Sequence, residues 1–227
     1  MSEVAPRIKA IRLSGAVPEV FASEGIGTGS EVWLSEVEFR RGCRVVVEAA
    51  SGTGKSSLCA YIYGARTDYR GSLAFDSDAG GSVDARTLGM ERWQTLRRRS
   101  LAYLPQELAL FPELSAIENI MLKNGLTGAV GPDRVEHWLE LLGLAARRDF
   151  PVGKMSLGQQ QRVALIRALC QPFDFLLLDE PVSHLDETNN RIAASIVEER
   201  AAETGGGVIA TSVGNRLLLS EFTTLTL

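Results

Sequence analysis

The stretch that most constrains the fold is "RVVVEAASGTGKSSL", residues 44–58. Val45, Val46 and Val47 are β-branched and contiguous, the pattern of a short strand buried on both faces. Leu58, Tyr61 and Ile62 then recur at helical spacing. The order is therefore strand, Gly/Ser loop, helix. In that arrangement the loop N–H groups and the helix N-terminus converge on one point and favour a phosphate there. Gly52 and Gly54 spare the backbone a Cβ, Lys55 supplies a cation and Ser56 supplies a hydroxyl suited to Mg²⁺. The pattern G-x-x-x-x-G-K-[ST] asks for glycine at position 49, where this chain carries Ala49. If that position needs a positive φ, alanine costs about 1 kcal/mol.

The flanking sequence supports an α/β chain. Residues 7–13 alternate as a half-exposed first strand, and 22–30 ("ASEGIGTGS") read as a loop or hairpin. Residues 31–39 alternate again, with Val32, Leu34 and Val37 on the apolar side. Residues 71–90 suggest a hairpin plus an exposed loop, "ERWQTLRRR" a short helix, and "SLAYLPQ" a strand ending at Pro105-Gln106. From Phe111 to Lys154 the chain reads as mostly helical. Val135, Trp138, Leu139 and Leu142 fall at i, i+3, i+4 and i+7, and Gly143 is a natural stop. Residues 158–169 form an amphipathic helix, 173–179 a buried strand ending in acid, 190–203 another helix, 208–212 a last buried strand and 222–227 a strand-like tail. Strands alternate with helices at both ends around a helical insertion, which is a doubly wound pattern.

Charge and cysteines narrow the function classes. The net charge is −4 and the pI about 5.4, which argues against a nucleic-acid partner. The one compact basic run, Arg97–Arg99, reads as a solvated helix end. Cys43, Cys59 and Cys170 are odd in number and far apart, which suits a reducing compartment better than a disulfide framework or a zinc site. The N-terminus lacks the apolar core of a leader, and no stretch approaches the roughly 20 apolar residues of a membrane helix. The expectation is a soluble, cytoplasmic protein that can reach a membrane through a partner.

Two further segments carry chemistry. "FLLLDEP" ends a buried strand in Asp179 and Glu180, and ligands of open parallel sheets collect at strand carboxyl ends. One acid there can support Mg²⁺ through its water shell, and the next can polarise an attacking water. "MSLGQQQRVALIRAL" puts Ser156, Gly158 and Gln159 at a helix start, a second place that favours an anion. A single site seldom uses two such helix starts from one chain. A head-to-tail dimer uses both, with each nucleotide lying between one chain's loop and the other chain's "MSLGQ".

Taken together these residues resemble the ATP-binding cassette (ABC) ATPases, over nearly the whole chain and in the family's order. "EAASGTGKSS" looks like the Walker A loop, "YLPQE" the Q-loop with Gln106, "MSLGQ" the signature, "FLLLDEP" Walker B, and "SHLD" the D-loop ending in Asp186. The resemblance implies a P-loop NTPase with a RecA-like core. It adds an antiparallel β subdomain at the N-terminus and a helical subdomain near 107–158, within a single domain over 1–227. It implies ATP and Mg²⁺ as ligands. The loop from Ser51 through Gly52, Thr53, Gly54, Lys55 and Ser56 to Ser57 would wrap the phosphates. Ser56, Gln106 and Asp179 would serve the metal, and Glu180 would activate water. Ser156, Gly158, Gln159 and Asp186 would act across the dimer. Phe21, with Trp33 behind it, is the candidate for stacking on adenine.

Departures from the pattern bear on rate. Besides Ala49, Leu157 replaces a signature glycine, and Ser212 stands where the family's switch histidine usually follows the last core strand. His184 in the D-loop could substitute or be a surface variant. Hydrolysis could therefore be slow or partner-dependent. The primary reading is an ATPase subunit that drives a membrane transporter or mechanotransmission complex through transmembrane permease subunits on a separate chain, paired with a second ABC subunit. "LFPELSAIENIMLK" is similar to compact cassettes of lipoprotein release, macrolide export and cell division. The alternatives are a soluble ABC ATPase serving as an assembly module, or the degenerate half of a heterodimer.

Overall fold

Val46, Leu176, Leu178 and Ala210 belong to one buried cluster, and Val45, Val47, Leu177 and Ile209 to another. That alternation is what a sheet covered on both faces requires, and it explains why these strands read as unbroken apolar runs. In the computed structural model, which describes residues 7–24 and 29–227, the runs form a five-stranded sheet. Its order is β6 (Leu101–Leu104), β7 (Phe175–Asp179), β8 (Gly207–Ser212), β3 (Arg44–Glu48) and β9 (Thr223–Thr226), and every pairing is parallel. A second, antiparallel sheet has the order β2 (Glu36–Arg40), β1 (Ile8–Pro18), β4 (Tyr69–Ser77) and β5 (Ser82–Asp84). The fold is a P-loop NTPase core carrying an antiparallel β subdomain.

Helices α2 (Lys55–Tyr63) and α3 (Met90–Arg99) lie between the strands of the first half. Between β6 and β7 the chain forms α4 (Ala116–Thr127), α5 (Pro132–Leu141) and α6 (Leu157–Leu169), and α7 (Glu187–Thr204) precedes β8. Their starts are locally encoded. Ser115 with Glu118 closes a capping box on α4, Ser156 with Gln159 closes another on α6, and Asp186 caps α7. Trp138 is fully buried on the face of α5 that packs the helical cluster. The two sheets are tied where β1 begins. The Ile8 N–H donates to Asp174 Oδ2 at 2.8 Å, and Arg7 Nε to Asp174 Oδ1 at 2.9 Å, just ahead of β7.

Several local expectations are corrected. The first strand runs on to Pro18, and a helix, α1 (Glu19–Glu24), occupies the start of the segment expected to be loop or hairpin. Of the rest of that expectation, 25–28 lies outside the described residues, and 29–30 is turn and irregular backbone as expected. Strand β2 begins only at Glu36 because the Ser30 hydroxyl accepts the N–H groups of Val32 (3.0 Å) and Trp33 (2.8 Å), which closes a turn instead of a ladder. Leu34 then sits at φ 60° and is 52% exposed, so it is not on the apolar side. The basic run ends α3 as expected, with Arg98 and Arg99 exposed and Arg97 half-buried. Arg97 donates to the carbonyls of Tyr63 (3.0 Å) and Gly64 (2.6 Å), and Arg98 to Leu126 (2.6 Å), so both satisfy helix C-terminal carbonyls. Among the described residues, no helix is long and apolar enough to cross a membrane.

Candidate active site

The loop between β3 and α2 is built by two left-handed glycines, Gly52 at φ 82° and Gly54 at φ 92°. Gly54 is required twice over: a Cβ there would lie 2.9 Å from Phe21 Cε2 and 3.2 Å from Trp33 Cζ2. Ala49 is not among the described non-glycine residues with positive φ, which are Leu34, Leu108, Ala109 and Glu180, so no left-handed penalty arises at 49. Its N–H donates to Ser212 O at 3.2 Å, which ties the loop's start to the end of β8. Thr53 Oγ1 donates to Ala50 O at 2.8 Å, and Ser57 Oγ accepts from Arg66 Nη1 at 3.0 Å.

Lys55 is buried, and its ammonium donates to Ala50 O at 2.7 Å and Ala49 O at 3.4 Å, with Glu180 Oε1 at 3.9 Å. Ser56 Oγ donates to Gln106 Oε1 at 3.2 Å, which brings the loop and the end of β6 together. Phe21, Ser51, Lys55, Ser56, Gln106 and Glu180 line one open cleft of about 260 Å³, with Gly52, Gly54 and Ser57 also in its wall. Trp33 lies beneath it: it is 1% exposed and its indole N–H donates to Thr53 O at 3.0 Å. It is thus committed to packing, and Phe21 is the aromatic left facing the cleft.

Asp179 ends β7 at 1% exposure. Its Oδ1 accepts from Thr211 Oγ1 at 2.7 Å, while Oδ2 is buried with no hydrogen-bond partner. A buried anionic oxygen without a partner is costly unless a cation or water completes it, and that fits a place in support of a metal. Among the described residues there is no cluster of three or more His, Cys, Asp or Glu side chains that could hold a metal alone. Mg²⁺ needs none, since it is bound through one or two carboxylates plus substrate phosphates.

Glu180 follows at φ 50°, a left-handed conformation that costs a non-glycine residue on the order of 1–2 kcal/mol. Its N–H donates to Thr211 Oγ1 at 3.1 Å, and its carbonyl accepts from Gln161 Nε2 at 2.9 Å. Sequence reasoning passed over both partners. Gln161 carried a signal, being a polar residue on the buried face of α6 beside Ala164 and Leu165. Thr211, an ordinary β-strand residue, carried none.

The remaining candidates lie outside the cleft's lining. Ser156 Oγ accepts from Gln159 N at 3.3 Å and Gln159 Oε1 from Ser156 N at 3.0 Å, with Leu157 exposed beside them. A Cβ on Gly158 would stand 2.7 Å from His184 O, so this glycine lets α6 approach the segment after β7. Asp186 Oδ1 accepts from Asn189 N at 2.8 Å. Hydrogen bonds from the Asn189 backbone and then its side chain hold that carboxyl below its ordinary value. Ser212 is buried at the end of β8, with its hydroxyl unpartnered. His184 Nδ1 lies 2.9 Å from Ser183 Oγ.

A parallel sheet whose strand ends hold a phosphate-type loop and an Asp-Glu pair defines a P-loop nucleotide-binding cassette. Residues 35–183 match the family described as ABC transporter, and the chain belongs to that family. It is 34% identical over 179 residues to the lipoprotein-releasing system ATP-binding protein LolD of Novosphingobium aromaticivorans, covering 77% of this chain and 78% of that one. Identity to the aliphatic sulfonates import ATP-binding protein SsuB of Burkholderia ambifaria is 31% over 220 residues, covering 93% of this chain and 61% of that one. The fold is similar to the dimeric structure of MJ0796, a bacterial ABC transporter cassette. The TM-score is 0.75 at 21% identity, covering 95% of this chain and 94% of that one. The chain is an ABC-type ATPase.

Proposed function

We propose that this chain is the ATP-binding subunit of a membrane complex, and that it hydrolyses MgATP between two cassettes arranged head to tail. The observation that carries the reading is a half-built site. Lys55, Ser56, Gln106 and Glu180 line one cleft, whereas Ser156 and Gly158 of the same chain do not. A second copy, or a related cassette, would bring its own Ser156 segment over the phosphates. The similar cassette MJ0796 is described as dimeric, including in a post-hydrolysis state bound to ADP and Pi.

In this reading the loop N–H groups and Lys55 take the phosphates, with the ammonium exchanging the Ala49 and Ala50 carbonyls for phosphate oxygens. Ser56 and Gln106 would hold Mg²⁺, with Asp179 supporting it. The ion supplies charge neutralisation at the β- and γ-phosphates. Glu180 takes the proton of the attacking water, and Phe21 stacks on adenine. Ser212, buried and without a ring nitrogen to offer, leaves the γ-phosphate one donor short, so hydrolysis is slow. Asp186 acts across the dimer from the start of α7.

The partner follows from the company the chain keeps: LolD is named for lipoprotein release and SsuB for sulfonate import, each as an ATP-binding protein. We place this chain on the cytoplasmic face of a membrane, held by permease subunits on a separate chain. Purification of the tagged protein from detergent-solubilised membranes tests this. A polytopic membrane protein in stoichiometric amount supports it, and a protein found only in the soluble fraction, alone or with soluble partners, contradicts it.

A further inference from the structure

Glu180 is the one described residue at the rim of the cleft that is left-handed without being glycine. Such a conformation persists only where the surroundings over-determine it. Here each polar group of the residue's backbone meets a buried side chain, and the carbonyl also accepts more weakly from Ser183 N–H at 3.4 Å and Oγ at 3.3 Å. The N–H goes to Thr211 Oγ1 at 3.1 Å and the C=O receives Gln161 Nε2 at 2.9 Å. Thr211 is 1% exposed and Gln161 2%, so the two holding side chains are themselves shielded from bulk water.

Each holder is itself held. Thr211 Oγ1 spends its proton on Asp179 Oδ1 at 2.7 Å, which leaves the oxygen free to accept from Glu180. Gln161 Oε1 accepts from His184 N at 3.0 Å, and Nε2 also reaches Ser183 Oγ at 3.1 Å. The amide therefore closes a bridge from α6 to both sides of the segment that follows Glu180. Gly158, one turn earlier on α6, allows the approach that makes the bridge possible.

We infer that Gln161 and Thr211 are positioning residues for Glu180: they clamp its backbone in the left-handed conformation that presents the carboxylate to the cleft. The inference rests on the proposed role of Glu180 in activating water.

Gln161→Glu separates this from a packing role. The variant keeps the shape and keeps an acceptor for His184 N, but an ionised carboxylate cannot donate to the Glu180 carbonyl. We expect kcat to fall about 10- to 100-fold, the penalty of a misplaced catalytic group, with KM for MgATP close to wild type and a melting temperature lowered at neutral pH by the buried charge. Burial raises the pKa of such a carboxyl, and its protonated form donates again. The ratio of variant to wild-type kcat therefore recovers as pH is lowered from about 8 to about 6. Wild-type kcat in the variant at neutral pH, or a loss without acid recovery, overturns the inference. If the variant fails to fold, Thr211→Val against Thr211→Ser carries the test: kcat lost in the first and retained in the second supports it, and equal kcat in both overturns it. Glu180→Gln is run alongside. Wild-type turnover in that variant sinks the catalytic role of Glu180 itself, a different failure from that of the clamp.

Discussion

Thr211 and Asp179 stand opposite each other in neighbouring parallel strands, and the Thr211 hydroxyl donates to Asp179 Oδ1 at 2.7 Å. The bond fixes one carboxylate oxygen and leaves the other, Oδ2, buried and unpartnered. In the proposed function, that oxygen at the end of β7 would face the water shell of a bound cation.

Asp179→Asn keeps an acceptor for Thr211 and removes the charge. We expect the Mg²⁺ requirement of hydrolysis to rise about 10- to 100-fold in concentration, as when groups outside the first coordination shell are lost. A Mg²⁺ titration of ATPase activity reads it. An unchanged half-saturating Mg²⁺ concentration contradicts the role given to Asp179.

In the proposed function Phe21 serves binding and Trp33 packing. Phe21→Ala should weaken ATP binding by about 1–3 kcal/mol, the loss typical when a base loses its aromatic platform, with little change in stability. Trp33→Ala should destabilise the fold by about 3–5 kcal/mol, as for a large buried aromatic. Equilibrium nucleotide titration and urea denaturation tell them apart, and a swap of the two outcomes refutes the assignment.

Gly158→Ala places a methyl 2.7 Å from His184 O, against backbone rather than a flexible side-chain end. The expected cost is about 1–3 kcal/mol of stability, the usual penalty for overpacking. Denaturation of the nucleotide-free protein measures it, and a variant as stable as wild type would show that α6 and the segment after β7 yield easily.

Asp186 makes a pH-dependent contribution. Its folded-state pKa is depressed by hydrogen bonds from Asn189, so its stabilisation is fully present above the ordinary value of 3.8 and is lost as pH falls through the lower folded value. Asn is a comparable N-cap without the titration. Any advantage of wild type over Asp186→Asn should therefore shrink between about pH 5 and pH 2 in urea midpoints. A difference that stays flat across that range contradicts the account.

Much of this molecule is local, and that part was legible. The run Val45–Val47 is a strand because it is buried on both faces, and Ser156, read at a helix start, caps α6. The missed pieces depend on contacts that spacing cannot show. The apparent alternation around Val32 and Leu34 fails because one hydroxyl, that of Ser30, captures two N–H groups and turns the chain. Residues 22–24 belong to a helix, α1, where composition suggested a loop or hairpin over 22–30. At the site, residues with unusual chemistry at their position (Lys55, Gln106, Asp179, Glu180) announce themselves. Thr211 and Gln161 reach Glu180 through its backbone, a contact that Thr211's residue type does not betray and that Gln161 signals only as a polar residue on a buried face.

The most direct test of the central claim is sedimentation of Glu180→Gln with and without MgATP. Without proton abstraction at the attacking water, ATP should stay bound between two cassettes, giving a dimer with MgATP and a monomer without it. A variant that remains monomeric at saturating MgATP contradicts the head-to-tail site.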